Sequence, residues 1–322
     1  MESNIFPAPP ARTRRVSKWG DLIFRGLTGV GGFALVGLIF ALIVVLYVVA
    51  EPTITRFGFS FLWRSVWDPN RNIYGAVPIM LDTLLTSAIA LLIAVPLSVG
   101  AAIFLTQQAP RWLADPVGQV VELLAAVPSI VFGFWGIIVL VPIMRYTVEP
   151  WLKTWLGWTG LFSETPIGID ILTASVVLSI MIVPTITAIS RDAMAAVPTE
   201  QREGALSLGA TDWEATRRVV VPYAQSGVFG GIILGLGRAL GETMAVTLVI
   251  GNVFKIPISL ISQGQTMASE IANEFTEASG PLEYSALVET GLVLLLITFL
   301  VNLAARVVLW RFARGGRIGG MV

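Results

Sequence analysis

The chain has 322 residues, of which 55% are hydrophobic and 13% are charged, with no net formal charge and a mean hydropathy of +0.79. Because the apolar residues lie in long uninterrupted runs, this composition indicates a bilayer protein and argues against a soluble two-domain protein. The absence of Cys and His excludes disulfides, thiol nucleophiles and His-ligated metals, and zero net charge gives no indication of a nucleic-acid partner.

The N-terminal residues 1–25 are rich in Pro and basic side chains and predict a cytoplasmic tail that ends in a short interfacial helix. The apolar stretch that follows, residues 26–50, has the length of a membrane span. Val48-Val49-Ala50 loosely resembles a signal-peptide cleavage site, so a removed signal peptide is the alternative. The stretch is too long for a secretory h-region, which favours an uncleaved first span.

Five more apolar stretches follow, each long enough to cross a bilayer. The six predicted spans are residues 26–50, 79–105, 119–142, 168–190, 223–250 and 284–309, with a short tail at 315–322. Each span is predicted to be helical because backbone polar groups in lipid must be satisfied within the segment, and no stretch alternates like a barrel strand. Pro128 inside the third span predicts a kink or a break. The predicted fold class is an all-α membrane protein with six transmembrane helices.

The distribution of basic residues predicts the orientation of these spans. With the N-terminus inside, 14 Lys and Arg residues fall on the cytoplasmic side and six on the outer side, leaving Arg238 in the membrane. The positive-inside rule therefore predicts that both termini are cytoplasmic, and an even number of spans agrees. The outer loop 251–283 is predicted to form a short helical hairpin. Asp82, Glu122 and Glu289 lie near predicted span ends, where carboxylates can reach headgroups or water.

Two ionisable residues interrupt the fifth span. Arg238 and Glu242 are four residues apart, so on a continuous helix they share a face and can pair. A charge at this depth costs at least ~2.5–3.5 kcal/mol on insertion scales, which makes it a functional-site hypothesis. A structural ion pair that fixes helix register is one interpretation. The other is an Arg whose planar fork contacts a tetrahedral oxyanion while the Glu holds it, and the residues alone leave both open.

Small residues repeat every four positions along the same span. One set is Gly227, Gly231 and Gly235, and the other is Gly237, Gly241 and Ala245. This spacing lets helices approach closely, so the two sets predict contacts on two faces. Tight packing without transport would explain the pattern equally well.

The polar segment 199–222 predicts a short helix, a turn at Gly209 and a second helix that ends before Pro222. An amphipathic helix on the bilayer and a helix that docks into a partner are both open interpretations. No GxxxxGK[ST] motif occurs, so this chain does not hold ATP through a P-loop, and no Ser/His/Asp or Cys/His set is possible. We therefore predict a non-catalytic subunit with no metal site.

One motif within the 199–222 segment carries a family resemblance: Glu203-Gly204-Ala205, then Gly209, then Val221-Pro222. It resembles the EAA motif of binding-protein-dependent ABC importer permeases. It departs from that motif at Gly204, where Ala is usual, and at Val221, where Leu is usual. The resemblance implies a coupling helix that sits in a cleft of a cytoplasmic ATPase, with Glu203, Ala205, Gly209 and Pro222 as coupling residues.

Four further blocks, in order along the chain, resemble the phosphate-specific permease subunit of the PstC type. They are IYGAVPIMLDTLLTS (73–87), ELLAAVPSIVFGFWG (122–136), LGLGRALGETMAVTLVIGN (234–252) and ANEF (272–275). This resemblance implies a type I ABC importer permease fold and a role for Arg238 and Glu242 in phosphate passage. It also implies a PstA-type permease partner, two PstB-type ATPase copies that bind ATP and Mg, and an outer phosphate-binding protein. No cofactor is expected in this chain itself.

Other functions remain open at this point. The nearest are a permease for another oxyanion (molybdate, sulfate or phosphonate) and the PstA-type partner subunit. An ion-coupled secondary transporter would not explain the EAA-like segment. A membrane scaffold subunit would not explain a buried Arg on a glycine-lined helix.

Overall fold

The computed structural model describes residues 18–317, so residues 1–17 of the predicted N-terminal tail (1–25) and residues 318–322 of the predicted C-terminal tail (315–322) lie outside the described residues. The chain divides into two compact units, residues 1–48 and 49–322. In the first unit, the described residues form a continuous helix with exposed apolar side chains, as expected for a surface that faces lipid. The separate interfacial helix predicted to end at residue 25 is therefore wrong, because the helix that begins at Lys18 continues without a break.

The remaining elements are also helical, and the described residues contain two isolated β-bridges but no β-strand. The helices are α1 (Lys18–Phe57), α2 (Val77–Ile103), α3 (Arg111–Ala125), α4 (Ser129–Trp135), α5 (Val141–Ile143), α6 (Glu149–Leu156), α7 (Ile171–Ala195), α8 (Thr199–Ser207), α9 (Asp212–Ala215), α10 (Val221–Leu240), α11 (Met244–Ile250), α12 (Met267–Glu274) and α13 (Pro281–Arg317).

Within the described residues, six helical runs are long and apolar enough to cross a membrane. They are Trp19–Trp63, Val77–Gln108, Ser129–Thr159, Ile171–Ala195, Asp212–Leu240 and Pro281–Val307. The prediction of six helical spans is confirmed. Two of the six predicted spans differ from the structure in ways that have a physical explanation.

The third span does not occupy residues 119–142. The first part of that stretch belongs to the separate helix α3, and the spanning run begins only at Ser129. Pro128 explains the break, because it disfavours helical backbone at the residue before it and cannot donate a helical hydrogen bond. The prediction from apolar length joined two helices into one span, because the residues between them are also apolar.

The fifth span is not continuous over residues 223–250. Helix α10 ends at Leu240, and α11 begins at Met244 after a break of three residues. Its start also differs from the prediction, because the helix of the 199–222 segment does not end before Pro222. Instead, α9, a wider π turn and α10 form one helical run, Asp212–Leu240.

Three prolines inside these helical runs follow wide turns at a constant spacing, whereas Pro96 and Pro184 lie inside α2 and α7 without one. The three π turns are Gly136–Leu140 before Pro142, Met144–Val148 before Pro150, and Thr216–Val220 before Pro222. A fourth, Phe104–Gln108, ends two residues before Pro110, and there the helical run ends. A proline ring collides with the carbonyl four residues earlier, which is here the middle residue of each π turn. Widening the turn moves that carbonyl away, so the helix continues through the proline.

Helix α7 is the most buried of the spans and packs between α2 and α10. On the α10 side, glycines permit close contact: a Cβ added at Gly231 would lie 3.2 Å from the Ile189 Cβ, and one at Gly235 would lie 2.8 Å from the Ile186 Cδ1. Gly227 faces Ala193 of α7 in the same way. These three glycines therefore line one helix–helix contact.

The second set of small residues does not form a helix face. The nearest side chain to a Cβ added at Gly237 is Asn302, at 3.9 Å, so no close approach occurs there. Gly241 lies beyond the end of α10 and faces only the Gly237 carbonyl. Within the described residues Gly241 makes no close contact with another helix, because the break separates it from Ala245, and its packing role stays a prediction.

The loop between α11 and α13 contains one helix, α12, in place of the predicted hairpin. Two buried side chains of α2 hold its start. Asp82 Oδ2 accepts from the Gln265 N–H at 2.8 Å, and Thr83 Oγ1 accepts from the Met267 N–H at 2.9 Å. Asp82 therefore has no access to headgroups or water, and it acts as a structural anchor for the loop.

Candidate functional site: a charged junction between interrupted helices

The two helix breaks create a site that we call the charged junction, defined by Ala125, Thr185, Arg238 and Glu242. Ala125 is the last residue of α3, and Thr185 lies in α7 directly after Pro184. Arg238 is in the last turn of α10, and Glu242 lies in the break before α11. The junction thus assembles side chains and helix ends from four helices.

Arg238 is held by the end of one helix and the middle of another. Its Nη1 donates to Thr185 Oγ1 at 3.1 Å and to the Ala125 carbonyl at 3.3 Å. That carbonyl is at the electronegative end of α3, where the last four C=O groups have no partner within the helix. A helix end therefore supplies the negative partner that a charge at this depth requires.

The Arg238 side chain keeps unused donors. A guanidinium has five N–H groups, and both hydrogen bonds in the structure leave from Nη1. Nε and Nη2 donate to no residue that the structure describes, and the residue is only partly buried. The junction therefore presents a fixed cation with free donors, an arrangement that suits a bidentate oxyanion.

Glu242 is held by the opposite kind of helix end. Its Oε1 accepts from the Ala245 N–H at 3.2 Å, and the residue is 8% exposed. The N-terminus of a helix is electropositive and has unpaired N–H groups, so this carboxylate stabilises the start of α11.

The predicted ion pair between Arg238 and Glu242 is not present in the described structure. An i,i+4 pair requires a continuous helix, and α10 ends at Leu240 between the two residues. Each charge is balanced by a helix end. The expectation that the Glu directly orients the Arg is therefore wrong.

A second charged contact fixes the position of α3 against α7. Arg191 forms an ion pair with Glu122, which lies one turn before Ala125, and a second with Asp192 at 3.1 Å. Gly118 lies directly against the Arg191 guanidinium, so α3 can approach this side chain closely. The Glu122 side chain is 55% exposed, so it can reach water as expected while it also pairs with Arg191 near the end of α3.

Thr185 and Ala125 were not among the residues predicted for the site. Pro128 is a usable signal that a helix ends near Ala125, because it follows Ala125 by three residues. Prolines leave carbonyl groups without their helical partners. The identity of the carbonyl that Arg238 contacts has no sequence signal, since Ala125 lies 113 residues away.

The segment that resembles the EAA motif, residues 199–222, is called here the coupling segment. Its predicted short helix is confirmed as α8, and so is the turn at Gly209, which has a φ of +89°. Arg202 joins α8 to α9 through an ion pair of 2.6 Å with Asp212. Pro222 lies inside the helical run Asp212–Leu240, which leads from this turn to Arg238.

The turn of the coupling segment exposes apolar side chains. Leu208 is 91% exposed and Trp213 is 56% exposed, beside the exposed charge of Glu203. Ala205 is partly buried within α8. Exposed apolar groups in a charged setting are typical of a surface that a partner covers.

Several acidic residues are buried away from the junction. Glu270 of α12 is 2% exposed, and burial, followed by the nearby charges of Glu274 and Glu283, raises its pKa to about 8. Burial, followed by Glu277 and Glu283, also raises the pKa of Glu274. At neutral pH, Glu270 therefore holds a proton. In the last span, Glu289 is 6% exposed and so does not reach water, contrary to expectation.

Comparison with known proteins agrees with this architecture. The family model "Binding-protein-dependent transport system inner membrane component" matches residues 94–314. One solved structure, a bacterial ABC transporter involved in the import of the acidic polysaccharide alginate, is similar with a TM-score of 0.55 at 16% identity, covering 92% of this chain and 99% of that one. Another, the methionine ABC transporter MetNI in an inward-facing conformation, has a TM-score of 0.50 at 18% identity, covering 73% and 93%. At these identities the likeness concerns the fold alone.

Curated relatives are much closer in sequence. The phosphate transport system permease protein PstC of Pasteurella multocida is 48% identical over 91% of this chain and 93% of its own length. The PstC protein of Mesorhizobium japonicum is 46% identical over 92% of each chain. The chain therefore belongs to the family of binding-protein-dependent transport system inner membrane components, a multi-pass membrane permease of the PstC group.

Proposed function

We propose that this chain is the permease subunit of an ATP-driven importer that moves inorganic phosphate into the cell and forms half of the translocation pore. The observation that carries the proposal is Arg238, a partly exposed cation with unused donors at a break between membrane helices. The names of its relatives, which are phosphate transport permeases, support the choice of anion.

In this proposal, phosphate binds to the free Nε and Nη2 donors of Arg238 while Nη1 remains on Thr185 and Ala125. A guanidinium fork matches two oxygens of a tetrahedral anion. Glu242 lies close in sequence and keeps the net charge of the junction near zero. The anion is then bound strongly enough to enter and weakly enough to leave, as conduction requires.

The coupling segment receives the driving movement in this proposal. Two copies of a PstB-type ATPase, which bind ATP and Mg, contact the segment at Glu203, Ala205 and Gly209. The helical run Asp212–Leu240, continuous through Pro222, carries a displacement from that contact to Arg238. A PstA-type permease completes the pore, and a phosphate-binding protein delivers phosphate from outside. Both termini are cytoplasmic, in agreement with the positive-inside rule.

Reconstitution of the four components in proteoliposomes tests the proposal. We expect uptake of labelled phosphate that requires ATP on the coupling side and stops with a hydrolysis-deficient ATPase. Unlabelled phosphate should compete, whereas sulfate, molybdate and phosphonates should not. Uptake without ATP would contradict the importer mechanism, and stronger competition by another oxyanion would reassign the substrate.

A further inference from the structure

A cavity of about 420 Å³ lies beside the start of the coupling segment and is separate from the charged junction. It is lined by the turn after α2, the start of α3, the end of α7 and the start of α8. Its polar lining includes Gln107, Arg111, Thr199 and Arg202, and Met194 and Val220 contribute apolar surface. This volume falls within the range of about 300–1,000 Å³ that is typical of small-ligand pockets.

Two guanidinium groups line this cavity without full sets of partners. Arg202 Nη2 is paired with Asp212 Oδ1 at 2.6 Å, but Arg202 Nε is buried and has no hydrogen-bond partner among the described residues. The Arg111 side chain forms no hydrogen bond or ion pair with any residue that the structure describes. Arg111 is exposed, so the buried donor without an acceptor is Arg202 Nε. Such donors are unfavourable and rare, and a bound anion would supply the acceptor that this Nε lacks.

The backbone adds positive potential to the same cavity. Helix α3 begins at Arg111 and α8 begins at Thr199, and both residues line it. Pro110 and Pro198 occupy the two N-cap positions and provide no side-chain acceptor for the first-turn N–H groups. Both helices therefore direct their electropositive ends toward the two arginines.

From these contacts we infer that the cavity binds a phosphate group, carried either by an anionic lipid headgroup or by free inorganic phosphate. Arginine pairs and helix N-termini are the two means by which proteins most often hold phosphate oxygens. The inference goes beyond the proposed function, because the cavity shares no residue with the charged junction.

Occupancy of this cavity would connect the two functional regions. Helix α3 lines the cavity with its first residue, Arg111, and supports Arg238 with its last, Ala125. Helix α8, which begins the coupling segment, lines the same cavity at Thr199. A phosphate group bound between them would hold α8 against α3.

The test uses the full-length chain in detergent, so that it does not depend on the proposed partners. It also carries Arg238→Ala, so that the charged junction does not contribute to binding. One arm titrates sodium phosphate at constant ionic strength and measures heat of binding. The other arm mixes the chain with dioleoylphosphatidylglycerol or with dioleoylglycerol, which lacks phosphate, and counts retained lipids by native mass spectrometry.

Arg111→Gln is the main variant, because its side chain has no partner to lose and folding should not suffer. Asp212→Asn removes the Arg202 ion pair but leaves both arginines, and Arg217→Gln removes an exposed arginine outside the cavity lining. We expect Arg111→Gln to weaken binding of one probe about tenfold, since it removes charge-assisted hydrogen bonds to the phosphate oxygens. Arg217→Gln should bind as tightly as the parent, and Asp212→Asn should bind at least as tightly, because it removes a carboxylate that competes for Arg202.

The arm in which Arg111→Gln has its effect identifies the source of the phosphate group. Loss of phosphate binding identifies free phosphate, and loss of phosphatidylglycerol retention with dioleoylglycerol unaffected identifies a lipid headgroup. The inference is overturned if neither probe binds saturably, or if Arg111→Gln binds both probes as Arg217→Gln does.

Discussion

The coupling segment and the charged junction are stabilised in opposite ways. In the coupling segment, the polar side-chain contacts are local: Arg202 reaches Asp212 ten residues away, and Thr211 and Glu214 cap α9 between them. At the junction, Arg238 reaches carbonyl and hydroxyl groups that are 113 and 53 residues distant in sequence. The first region is set by neighbouring residues, whereas the second exists only after the helices pack.

The exposure of side chains also differs between the coupling segment and the charged junction. Leu208 in the coupling segment is 91% exposed, whereas Glu242 at the junction is 8% exposed. A region stabilised by its own local contacts can keep apolar side chains available for a partner. A region that holds charges in the membrane must satisfy them within the fold, because an unpaired polar group there has no water to contact. The predictions below test this division, beginning with the largest expected effect.

Arg238→Ala should lower ATP-driven phosphate uptake by at least about 100-fold. It removes the two proposed charge-assisted hydrogen bonds from Nε and Nη2 to phosphate, of about 1.5–3 kcal/mol each. Uptake in proteoliposomes measures this effect. Arg306→Ala, at an exposed position of α13, is the matched control and should transport normally. Normal uptake by Arg238→Ala would show that the junction is only structural.

Gly209→Trp should detach or uncouple the ATPase while the membrane spans remain folded. The positive φ of +89° strains any L side chain by about 1–3 kcal/mol, and the added indole would project into open space where a partner docks. A pull-down and ATPase assay measure the effect.

Two further glycine variants separate the effect of backbone strain at Gly209 from the effect of the large Trp side chain. Gly209→Ala introduces only the backbone strain and should have an intermediate effect. Gly204→Ala lies within α8 in open space, where Ala is favoured over Gly by about 0.5–1 kcal/mol, so coupling should be intact. Full ATPase binding by Gly209→Trp would contradict the coupling role of the segment.

Glu242→Gln should reduce uptake by up to about 30-fold, since interaction of a partly buried charge with a helix end reaches about 2 kcal/mol. The amide oxygen can still accept from the Ala245 N–H, so α11 should stay formed. Glu242→Ala also removes that acceptor and should in addition lower the melting temperature. An unchanged uptake rate for Glu242→Gln would restrict its role to capping α11.

Thr185→Val should reduce uptake about tenfold, because it removes one hydrogen bond to the charged Arg238, worth at least about 1.5 kcal/mol, and keeps the side-chain shape. Thr187→Val is the control on the same helix. Its buried Oγ1 has no hydrogen-bond partner among the described residues, so Val should be neutral or stabilising there. Equal uptake by the two variants would show that Thr185 does not position Arg238.

Much of the fold could be predicted from the apolar stretches, because a span of lipid thickness requires a long helix whatever its neighbours are. The boundaries failed at Pro128 and at Gly241, where a short break lies inside a stretch whose average hydropathy remains that of a span. Hydropathy averages over about one span length and does not register a break of three residues. The effect of Pro222 was misjudged for a related reason, since a π turn absorbs a proline that otherwise ends a helix.

The sequence by itself determined the six spans, the short helix and Gly209 turn of the coupling segment, and the presence of Arg238 and Glu242 within the fifth apolar stretch. Each of these depends on residues within about one helix length of each other. Only the tertiary structure decided that the two charges do not pair, and that the carbonyl of Ala125 and the start of α11 balance them. The physical reason is that a charge in the membrane is stabilised by whatever dipole packing brings within hydrogen-bond distance, and sequence spacing does not encode that neighbour.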